Sequence, residues 1–222
     1  LMPSGAGRDK WLTRRGIADG FAADWELLNY GAGSPPGNLR IREAVVDHFA
    51  IPAPAASGEI VAGQAHAGFS RTEIITRGEN FIEYAYQHGA ITAGASDIQG
   101  EAPKFLLVQD HDGRWHAEGA LEDHLVAKHW LVKFPPGNTE SDRQVLRNEC
   151  AYLEVARQLD FNVAEALVFE ADALFIPRFD RFVSPVGVDR HGLESLCSAA
   201  AIAEYGACPR HEVLLQTLAQ FS

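Results

Sequence analysis

A single lysine sits inside an apolar strand, Leu131-Val132-Lys133-Phe134, and it restricts the fold more than any other position. Desolvating an ammonium among Leu131, Val132 and Phe134 is unfavourable unless a carboxylate or a bound anion meets it, so an inward-facing Lys133 implies a partner. The alternative is an alternating strand with Lys133 on its solvent face. Upstream, Gly94-Ala95-Ser96-Asp97-Ile98-Gln99-Gly100-Glu101-Ala102-Pro103-Lys104 is a glycine-bearing loop followed by a hairpin. A glycine loop, a hairpin and then a strand lysine is a layout in which backbone N–H groups cradle phosphates and an ammonium pins them. Taken alone the loop reads first as an ordinary turn. It is not a Walker A, since no Gly-Lys-Ser/Thr closes it, and not a dinucleotide fingerprint, since no G-x-G-x-x-G opens a helix. Glu149, on the helix after the lysine strand, is the natural carboxylate to orient Lys133; the competing reading is a surface glutamate beside Arg147.

After Lys133 come Pro135-Pro136-Gly137-Asn138, a helix carrying Asn148-Glu149, and two strands ending Leu174-Phe175-Ile176-Pro177-Arg178-Phe179-Asp180-Arg181. In this order the loop 94–104, the strand Val132-Lys133-Phe134, the helix start Asn148-Glu149-Cys150-Ala151-Tyr152-Leu153 and Arg178-Phe179-Asp180-Arg181 resemble the HipA-type serine/threonine kinase toxins, and most of all the branch called YjjJ. The stretch from Leu1 to Leu39 is similar to the small N-terminal subdomain of that family. The resemblance implies an α+β, protein-kinase-like fold. Residues 1–68 would be the N-terminal subdomain and linker, 69–183 an N-lobe of antiparallel sheet with glycine loop, lysine strand and hinge, and 184–222 the start of a helical C-lobe. It also implies ATP and Mg²⁺ as cofactors, a protein hydroxyl as substrate, and a DNA-binding antitoxin as partner. The ATP-binding residues it points to are Gly94, Ser96, Gly100, Lys133, Glu149, Pro177 and Phe179.

A hinge pairs with adenine through its main chain, so Pro177 serves with its carbonyl and Phe179 with its N–H. Asp180-Arg181 reads as a local salt bridge or turn. Ser96 is the hydroxyl of the glycine loop; the family's autophosphorylated serine falls instead on Asp97, counting back from Lys104, which leaves Ser96 a hydroxyl donor to phosphate or loop backbone. The family's catalytic segment, D-x-H-x-x-N, has one near match, Asp189-Arg190-His191-Gly192-Leu193-Glu194, which ends in Glu and follows the hinge too soon. It reads as a loop, so no catalytic residue or metal ligand is assigned and the chain is expected to be a kinase fragment. Two further readings stand beside this one: a non-catalytic nucleotide-binding or antitoxin-binding module, and an inert remnant.

Composition is that of a folded globular chain, with 46% hydrophobic and 22% charged residues among 222, enough for one good-sized core or two small ones. The apolar runs are short and no basic-then-apolar leader is present, so the expectation is a cytoplasmic protein. Cys150, Cys197 and Cys208 form no C-x-x-C pair, which argues against a disulfide framework or a structural metal. A net charge of −11 repels a polyphosphate backbone and makes direct nucleic-acid binding an unfavourable reading, even with Arg8, Lys10, Arg14 and Arg15 clustered.

Helical spacing is present over residues 9–15 and 24–30, with Asp24 a candidate cap, and Asn38-Leu39-Arg40-Ile41-Arg42 alternates as a strand does. Residues 50–68 read as a linker, and a helix from Ser70 is expected to break at Gly78. Strands are expected at 105–108, 114–117, 129–134, 163–170 and 173–176, with turns at Asp110-Gly113 and Ala171-Asp172. Ser141 with Gln144 suggests a capping box for a helix over 142–159, buried through Val145, Leu146, Leu153, Val155, Ala156 and Leu159, with Asp160 in an αL turn. Residues 192–205 and 211–221 complete the expected helices.

Overall fold

The computed structural model describes residues 5–31, 33–50, 66–88, 90, 103–135, 137–161, 163, 165–202 and 207–221. Three helices come first, α1 (Gly5–Arg15), α2 (Phe21–Gly31) and α3 (Arg42–Ala50). Trp11, Leu12, Ala23 and Leu27 form a small core between α1 and α2, and Arg8 bridges Asp19 and Asp24 beside it. Asp24 is thus an ion-pair partner in the first turn of α2 rather than its cap. Residues 38–42 are not a strand: Arg42 opens α3, and Val45 donates to the Ile41 carbonyl. Five alternating residues are too few to separate the two periods.

The helix expected from Ser70 is two, α4 (Arg71–Thr76) and α5 (Glu79–Gln87). Ser70 and Glu73 make a reciprocal capping box, and Arg77 adopts a left-handed conformation (φ 51°) just before Gly78. The sheet follows, with β1 (Lys104–Asp110), β2 (Trp115–Ala117), β3 (Val126–Lys133), β4 (Val168–Glu170) and β5 (Ala173–Pro177). Its five strands run in the order β2-β1-β3-β5-β4, every neighbouring pair antiparallel. Gly113 (φ 79°) supplies the positive φ of the β1–β2 turn, and Ala171 and Asp172 (φ 44° and 64°) close the β4–β5 hairpin as a two-residue turn. β4 is shorter than the expected 163–170.

Alternation gives the sheet two different faces. Phe105, Leu107, Trp130, Val132, Phe134 and Phe175 point to one side and pack with Ile74, Phe81, Tyr84 and Ala85 of α4 and α5. The Tyr84 hydroxyl accepts the Ala117 N–H at 3.1 Å, so its polar end is satisfied inside this core. Lys133, Leu131 and His129 face the other side, where α6 (Glu140–Gln158) packs beside β4 and β5.

α6 differs from expectation at its start and in its phase. Thr139 is the N-cap, its hydroxyl accepting from Asp142 N while the Asp142 carboxylate accepts from Thr139 N–H. Ser141 and Gln144 both lie inside the helix. Leu146 is fully buried, whereas Val145, Val155 and Leu159 are exposed, so the inner stripe is rotated from the one the apolar spacing suggests. Glu149, one turn after Leu146 and on the same side of the helix, meets the sheet lysine, so the inner stripe runs through Leu146, Glu149 and Leu153. Asp160 does adopt φ 61°.

The chain then forms a second sheet of two strands, β6 (Arg181–Ser184) and β7 (Gly187–Arg190), which the sequence pattern does not announce. Asp189 and Arg190 belong to β7, paired with Phe182 and Arg181, so the near match to a catalytic segment begins in a strand rather than a loop. α7 (Leu196–Ala199) and α8 (His211–Leu218) are shorter than expected. Among the described residues no helix is long and apolar enough to cross a membrane.

Candidate functional site

Antiparallel register decides what meets Lys133. The Phe134 N–H donates to the Pro103 carbonyl at 3.0 Å, which makes Pro103/Phe134 a hydrogen-bonded pair and the adjacent Lys104/Lys133 a non-hydrogen-bonded one. In such a pair the side chains share a face and lie at their closest. Two ammoniums therefore stand side by side at the end of β1 and β3, Lys104 only 6% exposed. Lys133 donates to Glu149 of α6. Burial and then Lys133 push the Lys104 ammonium below its ordinary value, with Glu149 opposing them. Like charges directly opposite repel, and Glu149 offsets part of that repulsion.

A cleft of about 950 Å³ opens on the same face, lined by Glu149, Leu153, Ile176, Pro177, Phe179 and Val183 among others. Its far wall is the end of β5. Arg178 N–H donates to the His129 carbonyl at 3.0 Å, so Trp130/Pro177 is a non-hydrogen-bonded pair and the Pro177 carbonyl turns away from β3. Proline is tolerated there because that position needs no N–H on the β3 side.

Behind this wall lies a buried charge cluster. Asp180 accepts from Arg178 Nε at 2.9 Å and Nη2 at 2.5 Å, and from Arg181 Nη1 at 2.7 Å. Glu118, after β2, meets His129 Nδ1 at 2.9 Å and lies 3.6 Å from both Arg178 and Arg181. Burial alone would push the Glu118 carboxyl up, but His129, Arg178 and Arg181 hold it well below the usual carboxylate range. Burial and Arg178 bring Arg181 down to about 10, so it stays charged at neutral pH. Asp180 and Arg181 do form a local ion pair, as their adjacency suggests, and the pair is part of this larger network.

Of the sequence-derived site residues, the structure brings Lys133 and Glu149 into contact and places Glu149, Pro177 and Phe179 on one cleft. Gly94, Ser96 and Gly100 lie outside the described residues. Lys104 was read from sequence only as the loop's last residue, and its place opposite Lys133 is invisible without the strand register. Glu118 and His129 carry no motif at all. Among the described residues no group of three or more His, Cys, Asp or Glu is placed to hold a metal ion.

The sequence model of one family, the HipA-like C-terminal domain, matches residues 96–222, more than half of the chain. The chain belongs to the HipA-like C-terminal domain family. The matched span of this HipA-like domain takes in Lys104, Lys133, Glu149 and the 177–181 segment, so the cleft and both lysines lie within it. Searches of curated proteins and of solved structures returned no significant match.

Proposed function

We propose that this chain carries the nucleotide-binding lobe of a HipA-type serine/threonine protein kinase, the toxin of a toxin–antitoxin system. The observation that carries the reading is the Lys133–Glu149 pair, whose glutamate lines one cleft together with Pro177 and Phe179. A strand lysine oriented by a helix glutamate is the arrangement that positions ATP phosphates in kinases. Lys104 adds a second cation at the same corner. On this reading Lys133 and Lys104 hold the phosphates, and the Pro177 carbonyl and Phe179 N–H meet the base edge. ATP supplies the transferable phosphoryl group. Mg²⁺ belongs to the same reading through the nucleotide's phosphates; among the described residues no group of three or more His, Cys, Asp or Glu is placed to hold it.

On this reading binding and turnover separate in residues 1–222. The near-catalytic segment is structural: Arg190 is bound to Asp123 at 2.6 Å and His191 N–H donates to the Asp180 carbonyl at 3.0 Å. That observation also favours a second reading, a nucleotide-binding module that engages an antitoxin without transferring phosphate. Calorimetric titration with a non-hydrolysable ATP analogue tests the site. The expected result is binding weaker than micromolar that disappears in Lys133→Ala. No binding by the unsubstituted chain, or equal binding by Lys133→Ala, overturns the assignment. Radiolabelled ATP with Mg²⁺ is expected to leave no phosphate on the chain or on a supplied protein. Incorporation that is lost in Lys133→Ala would show that a carboxylate of this chain serves catalysis.

A further inference from the structure

The segment joining α2 to α3 does more than connect them. Gly37 N–H donates to Asp180 Oδ2 at 2.9 Å, and Arg181 Nη1 and Nη2 donate to the carbonyls of Gly37 and Pro35 at 2.8 and 2.9 Å. Ser34 Oγ donates to Glu118 at 3.1 Å. These four bonds span more than eighty positions in sequence and end on Glu118, Asp180 and Arg181, the last two following Phe179 directly in the chain. Arg178 on one side of Phe179 and Arg181 on the other both close onto the Asp180 carboxylate, so the turn at 178–181 is tied by its own side chains. The Arg181 side chain is fully buried, and residues 35 and 37 provide two of its acceptors. Without them Nη1 keeps its Asp180 acceptors but Nη2 gives up the Pro35 carbonyl, a costly loss for a buried guanidinium.

We infer that residues 34–37 are a clasp that positions the base-reading wall of the cleft, with Asp180 and Arg181, their side chains 4% and 0% exposed, as positioning residues. The inference rests on the nucleotide reading of the cleft. Its geometry is narrow at Gly37, which holds φ 87° and whose added Cβ would come 3.2 Å from Leu193 N and 3.4 Å from Leu193 Cβ. Any side chain at 37 is therefore strained in its backbone and crowded against the segment leading to α7. The clasp thus joins three pieces of chain: the N-terminal helices, the 178–181 turn and the exit toward α7. A displacement of the N-terminal helices reaches the Phe179 N–H through Gly37 and Asp180 in two bonded steps.

The test uses the full chain as Gly37→Ala and, as a milder second variant, Arg181→Lys, which keeps the charge and cannot reach both carbonyls. Two quantities are read: amide hydrogen exchange at 178–181 relative to the β1 amides 106–108, and affinity for a non-hydrolysable ATP analogue. The expected result is faster exchange at 178–181 with unchanged protection at 106–108, and affinity lower by about tenfold to hundredfold, as a misplaced positioning group produces. Unchanged exchange at 178–181 in both variants overturns the clasp. Faster exchange with unaltered affinity overturns its role in the cleft. If the unsubstituted chain binds no analogue, the nucleotide reading fails, and the exchange measurement still decides whether the clasp exists. If Gly37→Ala loses protection at 106–108 as well, Arg181→Lys supplies the deciding comparison.

Discussion

Glu118 is the carboxylate that the buried Arg178 and Arg181 charges share, and it yields a pH prediction with a definite sign. Its carboxyl is held well below its ordinary value of 4.5, so its contribution to stability is complete above that value and is lost as pH falls toward the folded value deep in acid. Glu118→Gln leaves Arg178 and Arg181 facing a neutral amide and is expected to cost about 3–5 kcal/mol at neutral pH. The gap should narrow steadily between about pH 5 and pH 2, because there the unfolded chain binds a proton at Glu118 that the native one does not, and the variant binds none in either state. Thermal melts across that range measure it, and parallel curves for the two proteins would contradict it. At the lysine corner, Glu149→Gln is expected to weaken analogue binding less than Lys133→Ala. Glu149 acts by orienting Lys133, whereas Lys133 supplies the charge.

α6 is the element where local pattern and tertiary demand disagree, and the disagreement is measurable. Apolar residues occur on two sides of the helix, and only the side bearing Leu146 is buried. Leu146→Ala is expected to cost about 2–5 kcal/mol in chemical denaturation, and Leu159→Ala under about 0.5 kcal/mol. The reverse ranking would show that the helix sits in another rotation and that Glu149 does not face the sheet. At the N-terminus, Thr139→Ala removes the hydroxyl of the capping box and should cost about 1 kcal/mol, while Ser141→Ala should be near neutral.

At the scale of the whole molecule, a ligand that bridges the lysine corner and the hinge wall binds only the folded chain and must raise its melting point. With free ATP analogue at about a hundred times its dissociation constant the added stability is about 2.7 kcal/mol. Differential scanning fluorimetry should show the shift for the unsubstituted chain and none for Lys133→Ala. An equal shift in both would place the ligand elsewhere on the molecule.

The local chemistry of the chain was decided by sequence alone: the helix start at Ser70, the break at Gly78, the Gly113 turn, the left-handed Asp160 and the strand around Lys133 all follow from residues within a few positions of one another. Sequence also pointed to Glu149 as the partner of Lys133, because strand lysine and helix glutamate stand in a recurring order. What tertiary structure decided has a common cause, in that each case depends on groups far apart in the chain. Strand register put Lys104 opposite Lys133, and a one-residue slip would have placed Phe105 there instead. The rotation of α6 was set by the face that had to meet the sheet, and the hairpin β6–β7 by pairing that no apolar period marks. The charge cluster of Glu118, His129, Arg178, Asp180 and Arg181 is closed by backbone groups of Pro35 and Gly37, and backbone N–H and C=O groups are the same at every position. A sequence can therefore show which charges need partners, and only the folded chain shows which backbone meets them.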